Sequence, residues 1–299
     1  MNSIKSPIVL FTYNRPWHTK QTVEALQNNL YAEESNLFIF SDGPKTDKDE
    51  LKVKEVRDYL KSIKGFKKIE ITERDKNWGL ANNIIDGVTK IVNEYGKIIV
   101  LEDDLVTSPF FLKFMNEALE MYEDEDKVVS IHGYVYPIRD LPEVFFIKGA
   151  DCWGWATWKR GWGLFEKDGK KLLHGLEEKK LTKLFDFNGT YEYTQMLKDQ
   201  IRGKNNSWAI RWYASAFLSE KLTLYPGVSL VKNIGTDASG THVGETKAFE
   251  VELAQRPILV KRIPPTVDLK AYAKFERYFR TIRRKRVIDF IGNRLRLTK

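Results

Sequence analysis

The sequence predicts an α/β fold in which helices cover both faces of a mostly parallel central sheet. Two observations support this prediction. Short, wholly apolar runs of the kind that form buried strands recur at residues 8–11, 37–40 and 98–101. Between them lie longer stretches with apolar side chains at helical spacing. This alternation of strand and helix is typical of parallel sheets.

The first two strands are each followed by a polar turn and a helix. Asn14-Arg15-Pro16 interrupts the first apolar run, and residues 18–28 then show helical spacing. The second run ends in Ser41-Asp42-Gly43-Pro44, which is a strong turn signal. Residues 51–63 follow as a helix with its apolar side chains on one face. Each unit therefore places polar residues directly after a strand.

The same pattern leads to a row of acids. Residues 68–73 alternate like a strand, residues 82–95 predict a helix, and the third apolar run continues into Glu102-Asp103-Asp104. A further helix is expected at 109–121. Because ligands bind beyond the carboxyl ends of parallel strands, the polar residues that follow the three buried strands predict a ligand site at this edge of the sheet.

The second half of the chain is less regular. Residues 208–219 resemble a helix, and short strand-like segments lie at 128–131, 143–147, 222–225 and 228–231. No internal repeat or low-complexity linker divides the sequence. We therefore predict one domain over residues 1–265, with residues 266–299 as a basic amphipathic tail after Pro264-Pro265.

Composition narrows the class of protein. The chain has 299 residues, of which 42% are hydrophobic and 30% charged, as in an ordinary globular protein. The one cysteine, Cys152, cannot form an internal disulfide, and no Cys/His cluster has zinc spacing. Residues 1–7 do not read as a signal peptide, and no apolar run is long enough to span a membrane. These features predict a cytoplasmic protein.

Three consecutive acids need a physical reason. Glu102, Asp103 and Asp104 repel one another, and burial at a strand end makes that repulsion more costly. A divalent cation removes the cost, and Mg²⁺ and Mn²⁺ prefer carboxylate and phosphate oxygens. The alternative is a solvated acidic turn that caps the next helix. The position at the end of a buried strand favours a Mn²⁺ or Mg²⁺ site.

Six segments in order resemble a known group of enzymes. They resemble the GT-A fold, a Rossmann-like nucleotide-sugar-binding fold, as found in bacterial glycosyltransferase family 2 and in the N-acetylglucosaminyltransferase I group. The resemblance covers roughly residues 7–243. The matching segments are 7–16, 38–44, 77–82, 100–105, 153–158 and 233–242, which read PIVLFTYNRP, FIFSDGP, NWGLAN, VLEDDL, WGWATW and NIGTDASGTH.

The resemblance implies roles for individual residues. Residues 1–125 would bind a UDP- or GDP-sugar donor, and residues 126–265 would bind a glycan or lipid-linked glycan acceptor. Asp104 matches the metal ligand of the family's acidic motif. The other donor contacts implied by the resemblance are Tyr13, Arg15, Asp42, Asn77, Asn82, Glu102 and Asp103. The expected pathway is the synthesis of bacterial surface polysaccharide, either lipopolysaccharide or capsule. The expected enzyme transfers a hexosyl or N-acetylhexosaminyl group and inverts the configuration of the anomeric carbon.

The general base is harder to assign. Relatives carry an aspartate between tryptophans near residues 208–212, but this sequence reads Trp-Ala-Ile-Arg-Trp there. The remaining candidates are Asp237, which lies in a segment that resembles the family motif and is preferred, and Asp151. His242 is a candidate for contacting the metal or the diphosphate, or is a structural loop histidine. His132 could line the site, although a core position suits it better.

The tryptophan-rich segment at 153–158 has two interpretations. Aromatic rings can stack on the apolar faces of sugars, and they also bury large areas in cores. We assign Trp153 and Trp155 to the acceptor site and Trp158 to packing.

The basic tail holds the whole excess charge. Residues 272–299 contain ten Lys/Arg and two acidic residues, and the net charge of the chain is +8. Aromatic and aliphatic residues interleave with these cations, which predicts peripheral binding to the anionic inner face of the cytoplasmic membrane. A solvated helix or a dimer contact are the alternatives. No recognition motif accompanies the charge, so nucleic acid is not an expected partner.

Two other classes of protein remain open. A nucleotidyltransferase would also use acids at a strand end, but residues 12–17 lack the glycine expected of a phosphate loop. A non-catalytic glycan- or membrane-binding protein is consistent with the missing aspartate near Trp208.

Overall fold

The computed structural model describes residues 5–236 and 248–296. The strands are β1 (Ile8–Thr12), β2 (Asn36–Ser41), β3 (Lys68–Glu73), β4 (Lys97–Glu102), β5 (Leu105–Thr107), β6 (Val128–His132), β7 (Val144–Lys148), β8 (Trp155–Trp158), β9 (Leu222–Pro226) and β10 (Val231–Asn233). The helices are α1 (Pro16–Gln27), α2 (Asp47–Leu60), α3 (Leu80–Tyr95), α4 (Phe111–Met121), α5 (Lys159–Trp162), α6 (Gly169–Glu178), α7 (Thr182–Phe185), α8 (Tyr193–Ile201), α9 (Trp208–Leu218) and α10 (Leu269–Arg296).

Eight strands form the central sheet in the order β3-β2-β1-β4-β8-β6-β9-β7. The first four run parallel, as does the β6–β9 pair, while β8 is antiparallel to both of its neighbours and β7 is antiparallel to β9. The predicted α/β class with a mostly parallel sheet is thus confirmed. Because β1 lies between β2 and β4, the loops that follow these three strands meet at one edge.

Apolar cores lie on both faces of the sheet, which explains why its central strands are uniformly hydrophobic. On β1, Ile8 and Leu10 belong to one core, and Val9 and Phe11 belong to the other. The larger core includes side chains of α1, α2, α4 and α10. The smaller core includes α3 and several tryptophans.

Two strands differ from the sequence-based expectation. The tryptophan-rich segment contributes β8, which lies in the middle of the sheet between β4 and β6. The strand expected at 228–231 begins only at Val231, and β10 pairs with β5 in a separate two-stranded sheet. Both errors have the same cause: these strands gain their stability from distant partners, and local patterning carries little of that information.

The first part of the predicted tail packs into the hydrophobic core. Asp268 accepts hydrogen bonds from the backbone N–H groups of Lys270 and Ala271 and so caps α10. Phe275 and Phe279 are each 1% exposed, and Ile282 is also buried. These side chains are therefore unavailable to lipid, which corrects that part of the membrane prediction. No helix in the described ranges is both long enough and apolar enough to cross a bilayer.

Candidate active site

The acids after β4 meet the loop after β1. Phe11 pairs with Glu102 across the parallel ladder, so the residues that follow each strand are neighbours. The backbone N–H of Tyr13 donates to Oδ2 of Asp103 at 3.3 Å. Nη2 of Arg15 donates to Oδ2 of Asp104 at 2.9 Å and also contacts Asp103. The structure therefore brings together five of the predicted site residues.

The position of Arg15 follows from the local sequence. Arg15 is the residue before the first turn of α1, and Pro16 begins the helix. Proline is pre-organised for the first helical position, where its missing N–H costs nothing. The Arg15 side chain makes no cap hydrogen bond and reaches the acids instead.

Burial and crowding shift the pKa values of the acidic motif. Burial raises the pKa of Glu102 to about 8, and the charges of Asp104 and Asp103 add to this effect while Arg15 opposes it. Burial also raises the pKa of Asp103, although the Arg15 guanidinium counteracts part of the rise. For Arg15, burial acts to lower the pKa, but the charges of Asp103 and Asp104 outweigh burial and raise it. The site thus favours bound positive charge.

Gly235 covers the acidic motif from the opposite side. The segment after β10 returns across β5, and the N–H of Ile234 donates to the carbonyl of Asp104 at 2.9 Å. A Cβ atom at position 235 would overlap the Asp104 carboxylate and lie 2.9 Å from Nη1 of Arg15. A side chain at this position would therefore force the Asp104 carboxylate or the Arg15 guanidinium to move.

Asp42 holds the neighbouring loop. Its Oδ1 accepts hydrogen bonds from the backbone N–H groups of Gly43 at 2.9 Å and Trp78 at 2.8 Å. Its Oδ2 accepts from the N–H of Gly79 at 2.9 Å and the amide of Asn77 at 3.2 Å. A carboxylate has about four accepting positions, and all are used here. In this conformation Asp42 positions the loop, and Asn77 helps it, while the contact of Asp42 with a nucleotide base stays a prediction.

Asn82 lies away from the acidic motif. It is exposed in the first turn of α3, and its amide donates to the carbonyl of Trp78 at 2.9 Å. The side chain lines a surface groove on the outer face of α3. Its contact with the donor stays a prediction.

Asp151 belongs to a second polar cluster. Its Oδ2 accepts a hydrogen bond from the Tyr225 hydroxyl at 3.3 Å and lies 3.5 Å from Nε2 of His132. The Asp151 side chain is 25% exposed, whereas His132 is fully buried. Burial lowers the pKa of His132, and the Asp151 charge opposes this shift. The cluster therefore presents one accessible carboxylate beside a neutral imidazole.

Cys152 lies between the two clusters. Its pKa is raised first by burial and then by the charges of Asp151, Glu102 and Asp104. The geometry agrees with this, because β8 runs antiparallel to β4 with Trp155 opposite Val100, so the segment before β8 approaches the end of β4.

The two tryptophans assigned to the acceptor differ in exposure. Trp155 is 0% exposed, with its ring 5.5 to 5.7 Å from the rings of Trp162, Trp208 and Trp212. Its predicted acceptor contact is wrong, because the indole fills the smaller core. Trp153 is partly exposed and lies edge-on to Tyr134 at 4.8 Å. Trp153 thus keeps a free surface near Asp151.

Two predicted residues, Asp237 and His242, lie outside the described residues. Among those described, no group of three or more His, Cys, Asp or Glu side chains is arranged to hold a metal ion. A cation at Asp104 would therefore need oxygen ligands from the substrate as well.

Sequence reasoning missed Tyr225 and the role of Gly235. Tyr225 is in a buried strand, and nothing in its neighbourhood along the chain points to Asp151. Gly235 lies two residues after the end of β10, and a glycine in or near a strand can mark a close approach of another group.

Comparison with known structures gives distant matches. A crystal structure of S. aureus TarS has 11% sequence identity and a TM-score of 0.42, and the match covers 78% of this chain and 61% of that one. A mannosyltransferase from Pyrobaculum calidifontis, in complex with GDP-Man and Mn²⁺, has 11% identity, a TM-score of 0.32 and coverage of 46% and 38%. The chain thus spans less than two thirds of either protein. No curated protein matches it.

A family model gives a firmer result. The model described as glycosyl transferase family 2 matches residues 8–165, which is just over half of the chain. The matched region begins at β1, contains the acidic motif and extends past Asp151. This chain belongs to glycosyl transferase family 2.

Proposed function

We propose that this protein transfers a sugar from a UDP- or GDP-sugar to a hydroxyl group of a glycan or lipid-linked glycan. Family membership supports sugar transfer in general. The observation that carries the specific proposal is the pairing of Arg15 with Asp103 and Asp104, at the edge of the sheet where the loops after β1, β2 and β4 meet.

The residues present suit a divalent cation. Asp104 offers a partly exposed carboxylate, and hard oxygen donors are the ligands that Mg²⁺ and Mn²⁺ prefer. Asp104 would hold the ion, with the diphosphate and water as further ligands and His242 as a candidate. When bound, such an ion would neutralise charge on the diphosphate leaving group.

Arg15 and the surrounding loops would orient the donor. The guanidinium carries a permanent positive charge beside the acids and can donate to phosphate oxygens through its second Nη. Tyr13 lies in the same loop, and its hydroxyl accepts a hydrogen bond from the backbone N–H of Lys45 at 3.1 Å. Asp42 fixes the loop at 77–79 and so shapes the neighbouring wall.

Asp151 would act as the general base. In the transfer, the acceptor hydroxyl gives its proton to the Asp151 carboxylate, its oxygen bonds to the anomeric carbon, and the bond from that carbon to the diphosphate breaks. Direct displacement of this kind inverts the anomeric centre. Asp151 is partly exposed, and the segment that contains it leads into β8 beside the end of β4, which supports this role. Trp153 would offer its free surface to the acceptor sugar.

The cytoplasmic, membrane-peripheral location stays a prediction. The structure leaves Arg277, Arg280 and Arg284 exposed on α10, opposite its buried aromatic side chains. Such a row of cations would be attracted to anionic lipid. A lipid-linked acceptor in bacterial surface polysaccharide synthesis would be reached from such a surface.

Binding and turnover test the proposal in two steps. In thermal unfolding, UDP or GDP with Mn²⁺ should raise the Tm of the wild-type protein, and Asp104→Ala should abolish the rise. Asp124→Ala, at an exposed acid outside the site, is the matched control. A panel of nucleotide-sugars is then screened for donor hydrolysis, which separates an enzyme from a protein that only binds.

Two results would contradict the proposal. A rise in Tm that persists in Asp104→Ala would place the nucleotide elsewhere. Binding without hydrolysis or transfer of any nucleotide-sugar would instead favour the non-catalytic class.

A further inference from the structure

A groove outside the candidate active site contains a buried arginine. The groove has a volume of about 380 Å³ and runs along α3, between that helix, α9 and the segment before α6. Arg211, on α9, forms part of its wall and is only 7% exposed. Charged side chains are seldom this buried without a partner of opposite charge.

Arg211 is only partly satisfied by the protein. Its Nε donates to the carbonyl of Ser207 at 3.1 Å, and its Nη1 donates to the carbonyl of Lys167 at 3.2 Å. No residue in the described ranges accepts a hydrogen bond from Nη2 or forms an ion pair with Arg211. Burial lowers the pKa of Arg211, and no neighbouring carboxylate offsets the shift. The guanidinium therefore lacks a counter-ion.

Two lysines add to the positive charge. Lys90 and Lys167 line the same groove, are exposed, and form no ion pair within the described part of the chain. Asp86 also lines the groove, but its carboxylate is already paired with Arg74. The lining residues thus carry three cations and one acid, an excess of two positive charges, and a negative ligand would be bound favourably.

The remaining wall suits hydroxyl groups. Asn82 and Asn93 lie along the groove, and an amide can both donate to and accept from a hydroxyl. The groove is large enough for a single sugar ring with one charged group. These features differ from those of the acidic motif, where carboxylates dominate.

We propose that this groove binds an acidic saccharide, with Arg211, Lys90 and Lys167 contacting its phosphate or carboxylate group. The planar guanidinium can donate to two oxygens of either group, and the lysines act as mobile point charges. Asn82 and Asn93 contact the ring hydroxyls. None of the three acids of the acidic motif lines this groove, and binding there does not depend on turnover.

Calorimetric titration of the full chain at 150 mM salt tests the proposal. The probes are glucose 6-phosphate, glucuronate, inorganic phosphate and glucose. One of the two charged sugars should bind at least tenfold more tightly than glucose and more tightly than inorganic phosphate, and the stronger of the two identifies the oxyanion. A saturating amount of UDP with Mn²⁺ should leave this affinity unchanged.

Matched variants locate the site. The double variant Lys90→Gln/Lys167→Gln should weaken binding about tenfold. Arg211→Lys should weaken it further, because a lysine cannot donate to two oxygens in the planar geometry of the guanidinium group. Lys64→Gln/Lys179→Gln, at exposed lysines outside the groove, should bind as the wild type does. Since Lys90 and Lys167 are exposed, the double variant stays informative even if Arg211→Lys fails to fold.

Three results would overturn the inference. These are equal affinity for glucose and both charged sugars, unchanged affinity in the Lys90→Gln/Lys167→Gln protein, and displacement of the sugar by UDP with Mn²⁺ together with loss of binding in Asp104→Ala. The last result would assign the probe to the donor site.

Discussion

Nη2 of Arg15 lies 2.9 Å from Oδ2 of Asp104, and the same nitrogen also contacts Asp103. One guanidinium group therefore compensates two carboxylates that follow each other in the sequence. The three side chains are 19%, 15% and 5% exposed, respectively, so water compensates them only in part. The contacts with Arg15, as well as those with the sheet, therefore hold the acidic motif in place.

Removing Arg15 should destabilise the metal-free protein. In Arg15→Gln, the buried Asp103 carboxylate loses its partner and must either stay charged at a cost or take up a proton. We expect the free energy of unfolding in urea at pH 7.5, with chelator present, to fall by about 2–4 kcal/mol. Lys54→Gln, which breaks an exposed helical ion pair with Asp58, is the control and should change little. Equal losses in both variants would mean that the Arg15 contacts contribute no more than surface pairs.

Replacing Asp151 should affect chemistry rather than donor binding. Asp151→Asn keeps the shape of the side chain but cannot take the proton of the acceptor hydroxyl. We expect kcat for sugar transfer to fall by about 10²- to 10⁴-fold, while the rise in Tm caused by nucleotide and Mn²⁺ is unchanged. Asp237→Asn should be measured in parallel. Loss of kcat in Asp237→Asn, with near-normal turnover in Asp151→Asn, would assign the base to Asp237.

The sequence was most informative about candidate site residues that lie directly after a strand. The apolar run before Glu102 identified the strand, and the alternation of strands and helices predicted a mostly parallel sheet with the polar residues after its strands at one edge. Arg15, Asp103 and Asp104 could therefore be placed together without coordinates. The contact between them depends on the pairing of β1 with β4, which the structure supplies.

Other features depended on contacts that local patterning does not show. A tryptophan can serve as a sugar platform or as core, and only the packing of α5 and α9 around Trp155 decides between them. The four hydrogen bonds to Asp42 arise because the loop at 77–79 folds back over β2. The sequence identified Asp42 and Trp155 as candidate site residues. It did not show which residues they contact, because those partners are distant along the chain.

His132 should make the protein sensitive to acid. Burial lowers the pKa of His132, so unfolding lets the side chain take up a proton when the pH is below its ordinary value of about 6.5. Stability is therefore unaffected by this group above that pH and falls as the pH decreases below it. His132→Phe removes the effect and keeps a ring beside Tyr225 and Tyr134.

Thermal unfolding at pH 8.0 and pH 5.0 checks the sign. Between these two pH values, we expect the wild type to lose more in Tm than His132→Phe does, because only the wild type loses stability by protonation of this side chain. His174→Gln, at an exposed histidine, should lose as much as the wild type. A wild-type loss no larger than that of His132→Phe would show that the pKa of the buried imidazole is not lowered by folding.

The two neighbouring tryptophans should respond in opposite ways to the same substitution. Trp155 is enclosed by three other tryptophan rings, so Trp155→Ala leaves a cavity in the smaller core and should lower the free energy of unfolding by about 3–5 kcal/mol. Trp153 retains an exposed part of its ring, so Trp153→Ala should cost less stability and instead raise the KM for the acceptor several-fold. Urea unfolding and acceptor titration at saturating donor measure the two effects separately. A raised KM for the acceptor in a stably folded Trp155→Ala protein would show that Trp155 contacts the acceptor after all. Both residues lie in one short segment, so a general disturbance of that segment would affect both proteins alike. A loss of stability in Trp155→Ala together with a raised KM in Trp153→Ala would instead show that Trp155 belongs to the core and Trp153 to the acceptor site.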